Sequence, residues 1–176
     1  VITWVTSDHH FFHENIIKYE NRPFSSIDEM HKVLIERWNC VVGPDDTVYH
    51  LGDVGLARFD RLKPVLNQLN GHKILIAGNH DERSKGWWSR AGFITVKKSH
   101  EFQPGVLLTH WPTQVPDGQI NIHGHIHSKS LRTFDTGINV NVSVEVTDYY
   151  PVNLLDLIHN VRTIPESVPG LSRMRR

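Results

Sequence analysis

The chain has 176 residues, with 19 Lys and Arg against 19 Asp and Glu and a formal net charge of 0. That length suits a single domain with one core, and the balanced charge removes any general field toward nucleic acid or an anionic membrane. The single Cys40 excludes an internal disulfide, and no apolar run approaches the roughly 18 residues of a membrane span.

The expected location is therefore cytoplasmic. No charged leader followed by an apolar run opens the chain, although a start at Val1 suggests that something preceded it.

The elements alternate between strand and helix. A β-rich run at 1–7 stops at DHHFFHEN, and Ser26-Ile27-Asp28-Glu29 has the form of a capping box. Ile27, Met30, Val33, Leu34, Trp38 and Val41 then recur at three- and four-residue steps, which predicts a helix ending at Gly43-Pro44. TVYHL (47–51) is the next strand. Leu62, Val65, Leu66 and Leu69 repeat the helical spacing before Gly71, and KILIA (73–77) is a continuous apolar run typical of a buried strand. GVLLTH (105–110), INIHG (120–124) and the alternating INVNVSVEV (138–146) predict further strands. A last helix is expected at about 154–161, capped by Asn153. One domain over 1–164 is expected, with 165–176 as a loose tail.

The polar chemistry lies just past the strands. Asp8 and His10 follow the first, Asp53 the second, and Asn79, His80 and Asp81 the third. His110 closes the fourth, and His125 and His127 follow the fifth. Each group has an ordinary explanation as a turn or cap, since Gly, Asn and Asp are turn residues anyway. In an open α/β sheet, however, ligands bind beyond the carboxyl ends of the strands, so residues from 8 to 127 would converge. Recurrence at strand ends, and two histidines on one face in His125 and His127, point to a metal site. His31, His50, His72 and His159 are explained by solvent or packing, whereas His9, His13 and His123 flank the candidate ligands.

Taken in order, Asp8-x-His10, Gly52-Asp53, Gly78-Asn79-His80-Asp81, His110 and Gly124-His125-x-His127 resemble the calcineurin-like metallophosphoesterase superfamily, in particular its small bacterial and phage members. The resemblance implies an α/β fold, a two-sheet β-sandwich flanked by helices (the four-layer arrangement of the superfamily), with a two-metal centre at one edge. It makes Asp8, His10, Asp53 and His127 ligands of one ion. It makes Asn79, His110 and His125 ligands of the other, with Asp53 shared. Mixed carboxylate, imidazole and amide donors suit two divalent ions such as Mn, Fe, Zn, Co or Ni, with Mn favoured.

The implied reaction is phosphoester hydrolysis by a hydroxide held between the ions. In it His80 stays off the metals and acts on the leaving oxygen, oriented by Asp81, while Asn79 and His13 contact substrate. Protein phosphatases of the superfamily carry G-D-x-V-D-R-G, whereas this chain reads GDVGLARF, with Arg58 two positions late. The expected substrate is therefore a small phosphodiester, including cyclic nucleotides, in an open site without a cap domain. A phosphomonoesterase or nucleotidase is the alternative, and a non-catalytic scaffold would be expected to have replaced ligands. A DNA nuclease would need a longer basic stripe than VKK or SRMRR, so no duplex nucleic-acid partner and no membrane partner is expected. The best candidate for such a surface is Trp87-Trp88 beside Arg83, Lys85 and Arg90.

Overall fold

The computed structural model describes residues 1–129, 134 and 136–163. The expected tail at 165–176 lies outside the described residues.

Four strands, β1 (Thr3–Thr6), β2 (Thr47–His50), β3 (His72–Ile76) and β4 (Phe93–Lys97), pair in parallel, and the short β9 (Val152–Asn153) adds antiparallel to β1. This five-stranded sheet has the order β4-β3-β2-β1-β9. The second sheet has the order β5-β6-β7-β8, built from β5 (Ser99–Gln103), β6 (Val106–Thr109), β7 (Ile120–His123) and β8 (Ile138–Asn141). Its last three strands are parallel to one another.

Parallel neighbours need crossovers, and helices supply them in the first sheet. A short α1 (Ile16–Tyr19) and the long α2 (Ile27–Val41) join β1 to β2, α3 (Phe59–Leu66) joins β2 to β3, and α4 (Lys85–Ala91) joins β3 to β4. Side chains alternate across each strand, so one strand serves two layers. Val48 and Leu75 pack outward with Met30, Leu34, Trp38, Leu62, Leu66 and Trp88 of the helices. Tyr49 and Ile76, one residue on, pack inward with Leu51, Val106, Leu108, Ile120, Ile122 and Val140. The apolar interior is thus two layers, one on each face of the first sheet. Leu154, Leu157, Ile158 and Val161 of α5 (Leu154–Thr163) join the inner layer. The result is a mixed α/β fold of two sheets flanked by helices.

The predicted caps are in place. Ser26 accepts a hydrogen bond from the Glu29 amide, while the Glu29 carboxylate reaches back to Ser25, one residue short of a strict capping box. Asn153 Oδ1 accepts from the Leu155 and Asp156 amides.

The reading of 138–146 as one strand is corrected. The strand ends at Asn141, whose side-chain oxygen accepts from the Ser143 amide, and a 3-10 turn follows at Val144–Val146. An Asn side chain that satisfies its own downstream backbone competes with the ladder, and here it wins. Strands β4, β5 and β9 and helix α1 are not among the predicted elements: Phe93–Lys97 is a short FITVK run with Ile94 exposed, Ser99–Gln103 is polar and half-exposed, and β9 is only two residues long.

Candidate metal centre

Every predicted ligand leaves the carboxyl end of a parallel strand. Asp8 and His10 follow β1, Asp53 follows β2, Asn79 follows β3, His110 follows β6, and His125 and His127 follow β7. The two sheets meet here through a bridge between Ser7 and Ser143, so both sets of strand ends open on one edge. The loops run side by side: the Asp8 amide donates to Gly52 O, His10 to Asp53 O and Phe11 to Val54 O.

Three groups of donor atoms form among the described residues, each with its atoms within 4.8 Å of one another. Asp8, His10 and His127 make one, Asp53, His110 and His125 a second, and His10, Asp53 and His80 a third that straddles the other two. Asp53 stands between the first two, with Oδ2 at 3.5 Å from His10 Nε2 and 3.6 Å from His110 Nε2. Asn79 Oδ1 is 3.0 Å from His110 Nε2.

The backbone is bent to reach this arrangement. Asp8, His10, Asp53, His125 and His127 all adopt positive φ, between 52° and 70°. The left-handed region costs a residue with a Cβ roughly 1–2 kcal/mol, and such strain clusters where function demands it. Asp and His tolerate this conformation better than most residues. The motif glycines have a different reason, which is space. A side chain at Gly124 would collide with Ser7 Oγ and Asp8 Oδ2, and one at Gly78 with Asp53 Oδ1. At Gly52 a Cβ would stand 2.5 Å from His110 Nδ1, and φ is +100°.

These donors suit a cation. His110 Nδ1 is 2.7 Å from Leu51 O, which can only accept, so Nδ1 carries the hydrogen and Nε2 presents a lone pair. That lone pair faces a carboxylate oxygen and an amide oxygen, an arrangement that a positive ion relieves. In the Asp8 group, Asp8 Oδ1 and both ring nitrogens of His10 are buried without a hydrogen bond among the described residues. Burial pushes the Asp8 carboxyl up to about 7, against the pull of His127. Burial likewise lowers His10, His110 and His125 below the usual imidazole range, leaving them neutral and ready to ligate.

Sequence reasoning missed the residues behind His127. Glu145 Oε1 is 2.9 Å from His127 Nδ1 and accepts from Arg22 Nε at 2.9 Å and Nη2 at 2.6 Å. Arg22 also donates to the carbonyls of Asp8 and His9, at 2.6 and 2.8 Å. Burial works against the His127 cation, but the Glu145 hydrogen bond and charge, with Asp8, raise its pKa. Ser143 Oγ and the His125 amide both donate to Asp8 Oδ2. The turn that ended the predicted strand at Asn141 is what aims Glu145 here. In the sequence Arg22 is an isolated cation and Glu145 an acid on the polar phase of an alternating run, so neither gave a signal.

His80 and Asp81 behave differently from each other. The His80 amide donates to Asp53 Oδ1 at 2.9 Å, and its exposed imidazole stands 4.0 Å from Asp53 Oδ2, edge-on to His10. Asp81 does not orient that ring by a hydrogen bond. Its buried carboxylate accepts from the amides of Asp53, Val54 and Gly78, clamping the second and third strand-end loops together. His13, with Nδ1 unpartnered, lies beside His10 and His80 at the mouth.

Several remaining histidines do more than pack. His50 Nδ1 accepts from the Gly52 amide and its other nitrogen meets His9 Nδ1 at 3.0 Å, while His31 Nε2 accepts from the Phe12 amide. They brace the two loops that carry Asp8, His10 and Asp53. His123 is buried and turned to Gly124 O, whereas His72 and His159 are exposed.

No model of a known protein family matches the chain. It is 42% identical over 166 residues to the uncharacterized protein MJ1445 of Methanocaldococcus jannaschii, covering 88% of each. It is 32% identical over 164 residues to the gene 66 protein of Mycobacterium phage L5, covering 73% of this chain and 79% of that one. The chain belongs to this family of archaeal and phage proteins. The gene 66 protein of Mycobacterium phage D29 is likewise 32% identical, over 165 residues, covering 74% of this chain and 80% of that one. Beyond these relatives, the protein of unknown function AQ665 from Aquifex aeolicus shares the fold, with a TM-score of 0.69 and 25% identity over 90% of this chain and 98% of that one. Among the described residues, no helix of this family member is long and apolar enough to cross a membrane.

Proposed function

We propose that the protein is a metal-dependent phosphoesterase with the four-layer architecture of the calcineurin-like metallophosphoesterases, and that it hydrolyses phosphodiesters. One observation carries this reading: two Asp/His donor groups, each fit for a divalent transition ion, meet at the single carboxylate of Asp53. When bound, two such ions would lower the pKa of water at neutral pH and stabilise charge on oxygens at phosphorus. Asp8, His10, Asp53 and His127 would hold one ion, and Asp53, Asn79, His110 and His125 the other, with Mn the favoured metal.

The chain's own residues do the rest. His80 is tied down through its amide while its ring stays free at the mouth, where it can pass a proton to the leaving oxygen. Asn79 is exposed beside the second group, and its amide can donate to a phosphoryl oxygen. His13 offers an unpartnered nitrogen on the same side. Arg58 is not among these donors, since its side chain is 90% exposed and its ion pair among the described residues is with Asp60 at 3.9 Å. A monoester dianion would therefore lack the arginine that meets its extra charge, and diesters are favoured.

The test is a substrate panel with purified protein and added Mn: a nitrophenyl monoester, the bis-nitrophenyl diester, 2′,3′- and 3′,5′-cyclic nucleotides, and DNA. Diester cleavage that disappears with chelator is expected. No turnover of any member by protein carrying two ions would overturn the assignment.

A further inference from the structure

Arg58 and Arg83 lie 25 positions apart and look like unrelated surface cations, but the fold brings them to one cleft. The cleft, about 320 Å³, is walled by Leu56, Arg58, Arg83, Trp87 and Trp88, and His80 stands on its rim. That volume is at the small end of ligand pockets, enough for one aromatic ring and a phosphate. Its floor is fixed to the candidate centre by a single residue. The Trp88 indole donates to Asp81 O, while the Asp81 carboxylate holds the amides of Asp53, Val54 and Gly78. The half-buried Trp87 is propped edge-on by Phe59 and by Trp88, with the Arg83 guanidinium 5.8 Å from its ring centre. Leu56, 40% exposed, adds an uncovered apolar lip.

Such a cleft offers a flat π face and an apolar lip for a ring, and two guanidiniums for an anion. Resting on the hydrolase reading, we infer that it receives the leaving group of the substrate, and that this leaving group is a nucleoside carrying a further phosphate. His80 stands between the candidate metal centre and the cleft, which puts the scissile bond at the rim. Water supplies the new oxygen on phosphorus and one proton to the departing nucleoside oxygen. The base packs on Trp87, and the second phosphate meets Arg83 and Arg58. An Arg-phosphate pair is charge-assisted and often bidentate, so a tenfold or larger gain from that phosphate is the expected scale.

The test has two arms. In EDTA, calorimetric titration of the full chain should show adenosine 3′-monophosphate binding at least tenfold more tightly than adenosine, and Arg83→Ala should bring the two within about threefold. Equal binding of both ligands by the wild type, or an advantage that survives in the Arg58→Ala/Arg83→Ala double variant, overturns the cleft assignment. This arm uses no metal and no turnover, so it fails or succeeds independently of the hydrolase reading. With Mn, the dinucleotide ApAp should be cleaved with kcat/KM at least tenfold above ApA, which lacks only the terminal phosphate, and Arg83→Ala should erase that ratio. If Arg83→Ala instead slows nitrophenyl phosphate as much as ApAp, the guanidinium grips the reacting phosphoryl group and the proposal falls. Trp87→Phe, which keeps a ring, should retain adenosine binding that Trp87→Ala loses. Unchanged adenosine binding in Trp87→Ala would mean that base stacking contributes nothing and would overturn the stacking assignment.

Discussion

The Asp8/His10/His127 group and the Asp53/His110/His125 group use similar donors but differ in what stands behind them. The first is sealed, its three residues 0, 2 and 9% exposed, and is backed by Glu145, Arg22 and Ser143. The second is more open at one end, where His125 is half-buried beside the exposed Asn79, while Asp53 and His110 are buried and are held by the His80 amide and by Leu51 O. A ligand whose far side is hydrogen-bonded keeps its tautomer and orientation when the metal leaves. On the proposed function, the sealed group would retain its ion, and the more open one would exchange ion and substrate with solvent.

The most severe way to break this asymmetry is at the carboxylate that both groups share. Asp53→Asn should bring bound Mn below two ions per chain and abolish measurable turnover, which elemental analysis and the diester assay would record together. Two tightly held ions in that variant would mean that Asp53 is no bridge.

His80 belongs to neither group. His80→Ala should lower kcat by roughly 10² to 10⁴ while leaving metal content intact. The loss should be smaller with a nitrophenolate leaving group, which needs little protonation. An equal loss on alkyl and nitrophenyl esters would place the His80 contact on the phosphoryl oxygens.

Glu145 sharpens the comparison because it touches only the sealed side. Mn titration of the wild type should resolve a tight and a weak site. Glu145→Gln should weaken the tight one by roughly 10- to 100-fold and leave the weak one in place. Weakening of both by the same factor would show that the two groups are not separately supported.

The smallest effect concerns the braces rather than the ligands. Burial holds the His50 imidazole down to about 3 and also lowers His9 beside it. The unfolded chain takes up those protons near the ordinary imidazole value of 6.5. Their contribution to stability is thus complete above 6.5 and is lost as pH falls toward 3, at ~1.4 kcal/mol per pH unit for a fully buried group. The raised Asp8 works the other way, losing its contribution as pH rises from 3.8 to about 7. More imidazoles are depressed than carboxyls are raised, so in EDTA the urea midpoint should be lower at pH 5 than at pH 7. A higher midpoint at pH 5 would mean that the carboxyls dominate.

Much of this molecule was written in local pattern. The three- and four-residue steps from Ile27 to Val41 set α2, the run from Lys73 to Ala77 set a strand buried on both faces, and Gly52, Gly78 and Gly124 marked where a backbone must leave room for a ligand. The donors themselves could be read off because each sits just past a strand, and a strand's end is visible in one short window.

Only the tertiary structure decided what no window contains. Arg22 meets Glu145 across 123 positions, and Ser143 meets Asp8 across 135, so neither pair leaves a mark on its neighbours in sequence. The turn after Asn141 overrode a clean alternating pattern because a side-chain oxygen could satisfy the Ser143 amide more locally than another strand could. Asp81, read as a partner of His80, became a clamp on three amides because burial left those amides no water to bond. Periodicity and turn chemistry act over a few residues and fix the elements and their ends. Orientation of each donor depends on polar atoms brought together by packing the two sheets, and that is settled only when the chain closes on itself.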